Sequence, residues 1–246
     1  MRRILSAVLT AWAGFVFVFS MLFIIPPLWI TDSWPEPRRT DILIRLARGW
    51  MAVFFFFSGI RLTIRGRERF APGENYIVVS NHRSMMDVPI SSPGIPGANK
   101  TIAKVEMARI PVFGIIYRRG SVLVDRKSDR SRRESYIRMK EVLAMGMHMC
   151  IYPEGTRNKT GKPLKEFHEG AFRLAYDTRK PIMPTVIFGT AKMLPGNRSW
   201  AFRPGRLEMH FLEPIPVEPG DTPEALRERT FRVMWDHYER NRPAGL

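Results

Sequence analysis

The stretch YIVVSNHRSMMD, residues 76–87, places a short apolar strand directly before a histidine and an aspartate. The strand covers Tyr76 to Ser80, and α/β folds carry functional groups where such strands end. His82 and Asp87 are five positions apart, so they do not share a face of an ideal helix. One of them must therefore lie in the turn before the helix. The carboxylate can then hold one ring nitrogen and leave the other free as a base.

The same arrangement, an apolar strand followed by polar residues, recurs twice further along the chain. The strand at 121–124 is followed by Asp125 and Arg126, and an arginine can form a forked contact with a phosphate. The strand at 149–152 is followed by PEGTR, residues 153–157. Its proline and glycine shape a tight turn, and its arginine is the better candidate for a phosphate ligand. Three polar clusters at strand ends indicate one edge of one sheet.

Each cluster taken alone also has a purely structural interpretation. Asn81 or His82 could cap a helix beside an unrelated Asp87. Asp125 and Arg126 could close a surface turn, and PEGTR could be a polar loop with a charge pair. The spacing of one cluster therefore does not decide between a structural and a functional role.

The rest of the chain after residue 65 continues to alternate between strands and helices. The further predicted elements are strands at 182–188 and 206–212 and helices at 129–147 and from Asp221 onward. This alternation indicates an α/β fold, with a mixed sheet flanked by helices. We expect two parts, an N-terminal membrane-associated helical segment at 1–62 and an α/β domain at 63–246.

The N-terminus is apolar enough to predict attachment to a membrane. Ile4–Ile30 contains 27 residues and no charge, and about 20 residues of helix cross a hydrocarbon core. We expect the helix to extend to about Ile25, because Pro26 and Pro27 follow. A cleaved signal peptide is the alternative, but the apolar run is too long and no A-x-A-like site follows it.

A second apolar stretch, Trp50 to Ile60, includes four consecutive phenylalanines and has arginines on both sides. It is too short to span a bilayer alone. Basic residues beside bulky aromatics suit a helix that lies in the membrane interface. The two apolar stretches could form a hairpin that enters one leaflet, and the alternative is a buried core helix.

The charge balance predicts an anionic partner. Thirty-nine Lys and Arg stand against 23 Asp and Glu, a formal net charge of +16. Nucleic acid and an anionic membrane surface both fit this excess, but the apolar N-terminus and the absence of a nucleic-acid motif favour the membrane. Cys150 is the one cysteine, so no intramolecular disulfide forms, and no zinc-binding spacing occurs. We expect no metal and no cofactor.

Three motifs in this order and spacing carry a family resemblance. From about 76 to 184 the chain resembles the lysophosphatidic acid acyltransferase family. Its N-H-x-x-x-x-D is similar to residues 81–87, its G-x-x-x-x-D-R to 120–126 and its P-E-G-T-R to 153–157. Lys104 fits another recurrent basic position of the family.

The resemblance implies a direct acyl transfer and a role for each matching residue. His82 would be the general base on the free hydroxyl of a lysolipid, and Asp87 would orient it. The residues that the resemblance implies for substrate binding are Arg126, Glu154, Gly155, Thr156, Arg157 and Lys104. The segment FHEG, 167–170, is similar to the family's F-K-x-G, but His168 stands where lysine is common.

The resemblance also implies the partners and the location. The acceptor would be 1-acyl-sn-glycerol-3-phosphate, the donor acyl-CoA or acyl carrier protein, and the product phosphatidic acid. A sibling enzyme acting on lyso-ornithine lipid or another lysophospholipid is the near alternative, and a basic nucleic-acid-binding protein the distant one. The implied location is a bacterial inner membrane, with the catalytic domain on the cytoplasmic side.

Overall fold

One seven-stranded sheet organises the chain in the computed structural model, which describes residues 2–195 and 201–242. The strands are β1 (Ile60–Arg65), β2 (Ile77–Ser80), β3 (Asn99–Lys104), β4 (Ser121–Val124), β5 (His148–Ile151), β6 (Ile182–Phe188) and β7 (Gly205–Phe211). Their order across the sheet is β1-β7-β6-β2-β5-β3-β4. Every pair is parallel except β6 with β7. The predicted mixed sheet flanked by helices is therefore confirmed. Residues 196–200 and 243–246 of the predicted 63–246 domain lie outside the described residues.

Helices cover both faces of this sheet. They are α1 (Arg2–Leu22), α2 (Ile25–Ile30), α3 (Arg38–Phe57), α4 (Asp87–Gly94), α5 (Phe113–Gly120), α6 (Asp129–Ala144), α7 (Gly170–Thr178), α8 (Thr190–Met193) and α9 (Pro223–Asn241), with short 3-10 turns at Arg67–Arg69 and Val105–Arg109. One apolar core lies between the sheet and α1, α3, α4 and α5. The other lies between the sheet and α6, α7 and α9. Strand β2 serves both cores, because Val78 belongs to the first and Ile77 and Val79 to the second.

The sequence did not predict two of the strands. In β1, Ile60, Leu62 and Ile64 alternate with polar residues, but the sequence pattern places Ile60 at the end of the apolar stretch before it. The predicted boundary between the N-terminal segment and the α/β domain, between residues 62 and 63, therefore falls inside β1. In β3, the sequence NKTIAK is too polar to signal a strand, although it pairs with both β4 and β5.

The prolines near the N-terminus start a helix instead of ending one. Helix α1 ends at Leu22, three residues before the predicted end, and a turn separates it from α2. Pro26 and Pro27 occupy the first positions of α2, where a missing N–H costs no helical hydrogen bond.

The second apolar stretch forms the end of α3. One face of this helix is buried in the core, and the other face is exposed. Trp50 and Phe54 are buried, and the indole N–H of Trp50 donates to the Phe17 carbonyl of α1 at 3.1 Å. Phe56 and Phe57 point outward from the same helix and are 78% and 55% exposed. The buried-core interpretation is thus correct for one face of α3, and the other face leaves aromatic side chains uncovered.

Much of the N-terminal apolar surface is likewise uncovered. Ile4–Ile30 is long and apolar enough to cross a membrane by length and composition, and 28% of its most hydropathic window is buried. The large apolar side chains that α1 and α2 expose include Ile4, Leu5, Val8, Trp12, Phe15, Val18, Phe19, Leu22, Trp29 and Ile30. This surface would be costly in water.

Ion pairs tie the α2–α3 connection to the sheet. Glu36 accepts a 2.8 Å hydrogen bond from Lys100 of β3, and both side chains are 12% exposed. Burial opposes ionisation of Glu36, but hydrogen bonds from Lys100, Thr40 and Arg39 outweigh it and lower the pKa to about 2. The carboxylate is therefore charged at neutral pH and holds the start of α3 against β3.

Loss of the Lys100 ammonium should destabilise this attachment. Lys100→Met keeps the apolar stem but leaves Glu36 buried with one partner fewer, so we expect a loss of about 2 kcal/mol in the free energy of unfolding. The matched control is Lys180→Met, because its 3.2 Å pair with Glu74 is more exposed and should be worth about 0–1 kcal/mol. Denaturant unfolding in detergent, followed by tryptophan fluorescence, measures both. Equal losses would contradict a special role for the buried pair.

Candidate active site

Parallel strands bring the predicted polar clusters to one edge of the sheet. β2 and β5 are neighbours, and β3 and β4 continue the sheet beyond β5. Asn81 and His82 follow β2, PEGTR follows β5, and Asp125 and Arg126 follow β4. The common edge inferred from the sequence is therefore present. Lys104 ends β3 at the same edge, where it is exposed and pairs in register with Val124.

His82 and Asp87 form a hydrogen-bonded pair at the centre of this edge. The distance from His82 Nδ1 to Asp87 Oδ2 is 2.8 Å. Because a carboxylate only accepts, Nδ1 carries the proton and Nε2 has a free lone pair. Nε2 makes no hydrogen bond to any residue that the structure describes, and the His82 side chain is 18% exposed. The ring thus presents a base to solvent.

Asp87 holds more than the imidazole. Its Oδ2 also accepts the backbone N–H groups of Arg83 and Ser84, at 2.6 and 2.7 Å. Asp87 is the first residue of α4 and is fully buried, whereas His82 lies in the preceding turn. This is the division between turn and helix that the five-residue spacing predicts. One carboxylate oxygen therefore fixes both the turn and the ring.

Tyr152 completes the environment of the imidazole, and the motifs did not single it out. Its ring stacks on His82 with a centroid distance of 4.4 Å and an angle of 25° between planes. Its hydroxyl is 2.6 Å from Ser91 Oγ of α4. Burial raises the pKa of Tyr152 well above its ordinary value, so the phenol stays neutral. The signal in the sequence that could have identified Tyr152 is its position as the last residue before PEGTR.

Glu154 is placed differently from its predicted role in substrate binding. It is fully buried, and its Oε1 accepts the backbone N–H of His82 at 2.8 Å. Its Oε2 accepts the backbone N–H of Lys165 at 3.0 Å. Both oxygens are occupied, so the side chain links the His82 turn to the segment before α7. Burial raises the pKa of Glu154 to about 7, although both backbone hydrogen bonds oppose the rise.

The remaining PEGTR residues shape a tight loop. Gly155 has a φ of +67°, and a Cβ there would lie 2.8 Å from the His168 ring, so a side chain would be strained and would displace that ring. The Arg126 guanidinium donates to the Gly155 carbonyl. Arg126 is thus brought to the loop as predicted, where it holds backbone and remains largely exposed.

A cation-lined cavity adjoins this loop. It has a volume of about 390 Å³, and its lining residues are Thr156, Arg157, Lys159, Thr160 and Lys165. Lys165 Nζ donates to Thr156 Oγ1 at 3.0 Å, and the backbone N–H of Asn158 donates to the His82 carbonyl at 2.6 Å. This anion cavity, as we call it, lies in the loop after β5, and the Asn158 hydrogen bond joins that loop to the turn that carries His82. Lys159 and Lys165 were missed because nothing in the local sequence separates them from surface lysines.

The fold and this site define an acyltransferase class, and comparison with known proteins agrees. The model of the family described as Acyltransferase matches residues 61–188, just over half of the chain and all of the site residues above. The chain belongs to the acyltransferase family.

The relatives are named 1-acyl-sn-glycerol-3-phosphate acyltransferases. The bovine alpha protein is 33% identical over 187 residues, which cover 73% of this chain and 63% of that protein. The human beta protein is 30% identical over 192 residues, covering 76% and 68%. This chain thus spans less than two thirds of the length of the bovine relative. The crystal structure of the 1-acyl-sn-glycerophosphate (LPA) acyltransferase PlsC from Thermotoga maritima is similar with a TM-score of 0.83 and 26% identity, covering 98% of this chain and 97% of that one.

The raised pKa of Glu154 should make stability fall with rising pH. Between about pH 4.5 and 7 the folded state keeps a proton that the unfolded state has lost, so the free energy of unfolding decreases across that range. Glu154→Gln lacks this titration. From about pH 5 to about pH 8, wild type should lose roughly 2.5 kcal/mol relative to the variant.

Denaturant unfolding at a series of pH values measures this difference. Glu141→Gln, an exposed carboxylate on α6, is the matched control for the loss of one charge. A difference between wild type and Glu154→Gln that stays constant with pH would contradict the effect of burial on Glu154.

Proposed function

We propose that this chain transfers a fatty acyl group from a thioester to the free hydroxyl of 1-acyl-sn-glycerol-3-phosphate, which gives phosphatidic acid. The observation that carries the proposal is the His82–Asp87 pair, with a free Nε2, in a turn that is hydrogen-bonded to the loop of the anion cavity. The names of the related proteins support the same acceptor.

The proposed reaction needs one proton carrier. Nε2 of His82 takes the proton of the lipid hydroxyl while that oxygen bonds to the thioester carbonyl carbon. The tetrahedral intermediate then breaks its C–S bond, and the leaving thiolate takes the proton back from the imidazolium. Asp87 accepts the Nδ1 hydrogen bond, which selects the tautomer whose Nε2 bears the lone pair, and it stabilises the imidazolium between the two steps. General-base help of this kind contributes about 10²- to 10⁴-fold.

The anion cavity favours a phosphate-bearing acceptor over a lyso-ornithine lipid. Three of its five lining side chains are cationic, two are hydroxyls, and no carboxylate is among them. A phosphate monoester carries up to two negative charges and three acceptor oxygens, which match such a lining. An ornithine headgroup carries an ammonium group that would meet the cations. We assign Arg157 as the main phosphate ligand, with Lys165 and Lys159 beside it.

The exposed apolar surface supports attachment to a membrane. Helices α1 to α3 leave large apolar side chains uncovered on the sheet face that also carries α4, the helix of Asp87. Insertion of this surface would bring the lysolipid to the site without its extraction into water. We propose a bacterial inner membrane with the sheet on the cytoplasmic side, as the net charge of +16 also favours.

The base assignment predicts a large effect of two substitutions on turnover. His82→Ala removes the proton acceptor, and Asp87→Asn removes the acceptor that selects the Nδ1–H tautomer, so each should lower kcat by about 10²- to 10⁴-fold. Product formation from palmitoyl thioester and lysophosphatidic acid, followed by mass spectrometry, measures this. Asp129→Asn, an exposed carboxylate on α6, is the control. Activity within about threefold of wild type in both site variants would refute the role of the pair.

The phosphate assignment predicts a selective effect on one substrate. Arg157→Ala removes the charge beside the acceptor phosphate, so it should raise the KM for lysophosphatidic acid by about tenfold or more and leave the thioester KM nearly unchanged. Arg173→Ala, an exposed arginine on α7, is the matched control. Equal changes in both KM values would contradict phosphate binding by Arg157.

A further inference from the structure

Two arginines lie side by side on the two strands at one side of the sheet. β1 and β7 pair in parallel, and their register places Arg61 directly beside Arg206. Neighbouring strands are about 4.8 Å apart, and residues in register point to the same face of a sheet. The next residues along, Leu62 and Leu207, face the apolar core. Arg61 and Arg206 therefore share the opposite face, where both are exposed.

This arginine pair has no counter-charge in the part of the chain that the structure describes. Among residues 2–195 and 201–242, no carboxylate lies within ion-pair distance of either guanidinium, and neither guanidinium donates a hydrogen bond. Glu208, two positions along β7, is already occupied, because it accepts from His210 at 2.9 Å and lies 3.6 Å from Arg65. Like charges directly opposite on adjacent strands repel, so the pair costs stability. A local cost without internal compensation is typical of a functional site.

Exposed aromatic side chains adjoin the arginine pair. Phe56 and Phe57 end α3 just before the turn into β1, and both are exposed. The Gly59 carbonyl in this turn accepts the backbone N–H of Gly205, where β7 begins, at 3.2 Å. The indole N–H of Trp12 on α1 donates to the Phe57 carbonyl at 2.9 Å. Helices α1 and α3 therefore meet the start of β1 and β7 here, and the arginine pair borders the apolar surface of the N-terminal helices.

The arginine pair lies at the same edge of the sheet as His82. β7 is antiparallel to β6, and β6 is parallel to β2, so β1 and β7 begin at the edge where β2 and β6 end. Only β6 separates β7 from β2, and the turn after β2 carries His82. The anion cavity follows β5, one strand further away, and has no lining residue in common with the pair. The two groups of cations are therefore separate, although both lie at the active-site edge.

We propose that Arg61 and Arg206 together bind the phosphate of an anionic phospholipid of the surrounding membrane, which is not a substrate. Two guanidinium groups on one face can hold one phosphate from two directions with forked hydrogen bonds. The acyl chains of the same lipid lie against Phe56, Phe57 and the exposed side of α1. A molecule with an anionic end and apolar chains matches cations that border an apolar surface. A soluble phosphate ester would leave the aromatic side chains in water.

Such a lipid orients the enzyme on the membrane. The apolar side chains of α1 to α3 favour insertion, whereas the arginine pair adds an attachment at the level of the headgroups. Because the pair lies at the edge that carries His82, this attachment holds the active-site edge near the phosphates of neighbouring lipids. The inference goes beyond the proposed acyl transfer, since the site binds a lipid that does not react.

Vesicle binding by single and double variants tests the shared site. Arg61→Gln and Arg206→Gln change exposed side chains, so the fold should be kept. Each should weaken partition of the full-length protein into mixed phosphatidylcholine and phosphatidylglycerol vesicles by about tenfold, and into pure phosphatidylcholine vesicles by less than about twofold. The double variant should bind within about twofold of either single variant, because both arginines hold one phosphate. The matched control is Arg133→Gln, an exposed arginine on α6, which should change neither partition by more than about twofold.

Several outcomes would overturn the lipid site. Single effects that multiply to about a hundredfold in the double variant, or an equal loss in Arg133→Gln, would assign the effect to general surface charge. Unchanged vesicle binding in both single variants would also refute it. Isothermal titration in detergent with glycerol 3-phosphate should give the same affinity for wild type and Arg206→Gln, and weaker binding by the variant would assign the pair to a soluble phosphate ester. Because the vesicle assay contains no substrate, the expected losses would support the site even in a protein that acylated no lysolipid.

Discussion

Two buried carboxylates hold the backbone around His82, and the rest of the site depends on them. Asp87 Oδ2 accepts the ring N–H and two backbone N–H groups, and Glu154 accepts the backbone N–H of His82 from the neighbouring strand end. A buried carboxylate is costly unless it accepts hydrogen bonds, and because Asp87 Oδ1 has no partner among the described residues, the three contacts of Oδ2 stabilise this side chain. Removal of Asp87 would leave three N–H groups without this acceptor, and removal of Glu154 would leave two. The position of the imidazole is therefore set by backbone geometry as much as by its own side chain.

The stack of Tyr152 on His82 adds a second constraint of a different kind. Hydrogen bonding at Nδ1 fixes which nitrogen carries the proton, whereas the tyrosine ring restricts the plane in which the imidazole lies. The tyrosine hydroxyl is itself held by Ser91 of α4, the helix that Asp87 begins. The imidazole is thus oriented from β2, β5 and α4 together. Preorganisation of this kind reduces the rearrangement needed when charge develops on the ring.

The N-terminal helices contribute side chains to the core of the fold, and they also carry its exposed apolar surface. Trp50 and Phe54 fill the core beneath the sheet, while Phe56 and Phe57 on the same helix face outward. The buried Glu36–Lys100 pair fixes the start of that helix to β3. An apolar surface built in this way has a fixed position relative to the strand ends, because the same helix packs against the sheet and carries the exposed side chains. The active-site edge and the apolar surface consequently cannot move independently.

The sequence alone determined the features that are local along the chain. An apolar strand followed by polar residues was recognisable at Tyr76–His82 and before PEGTR, and the five-residue spacing of His82 and Asp87 required a turn between them. Only the tertiary structure decided contacts between distant segments. It placed β1 and β3 in the sheet, set Tyr152 against His82, and gave both oxygens of Glu154 to backbone N–H groups. The physical reason is that hydrogen bonds and stacking depend on distances in space, and only folding brings residues about 70 positions apart together.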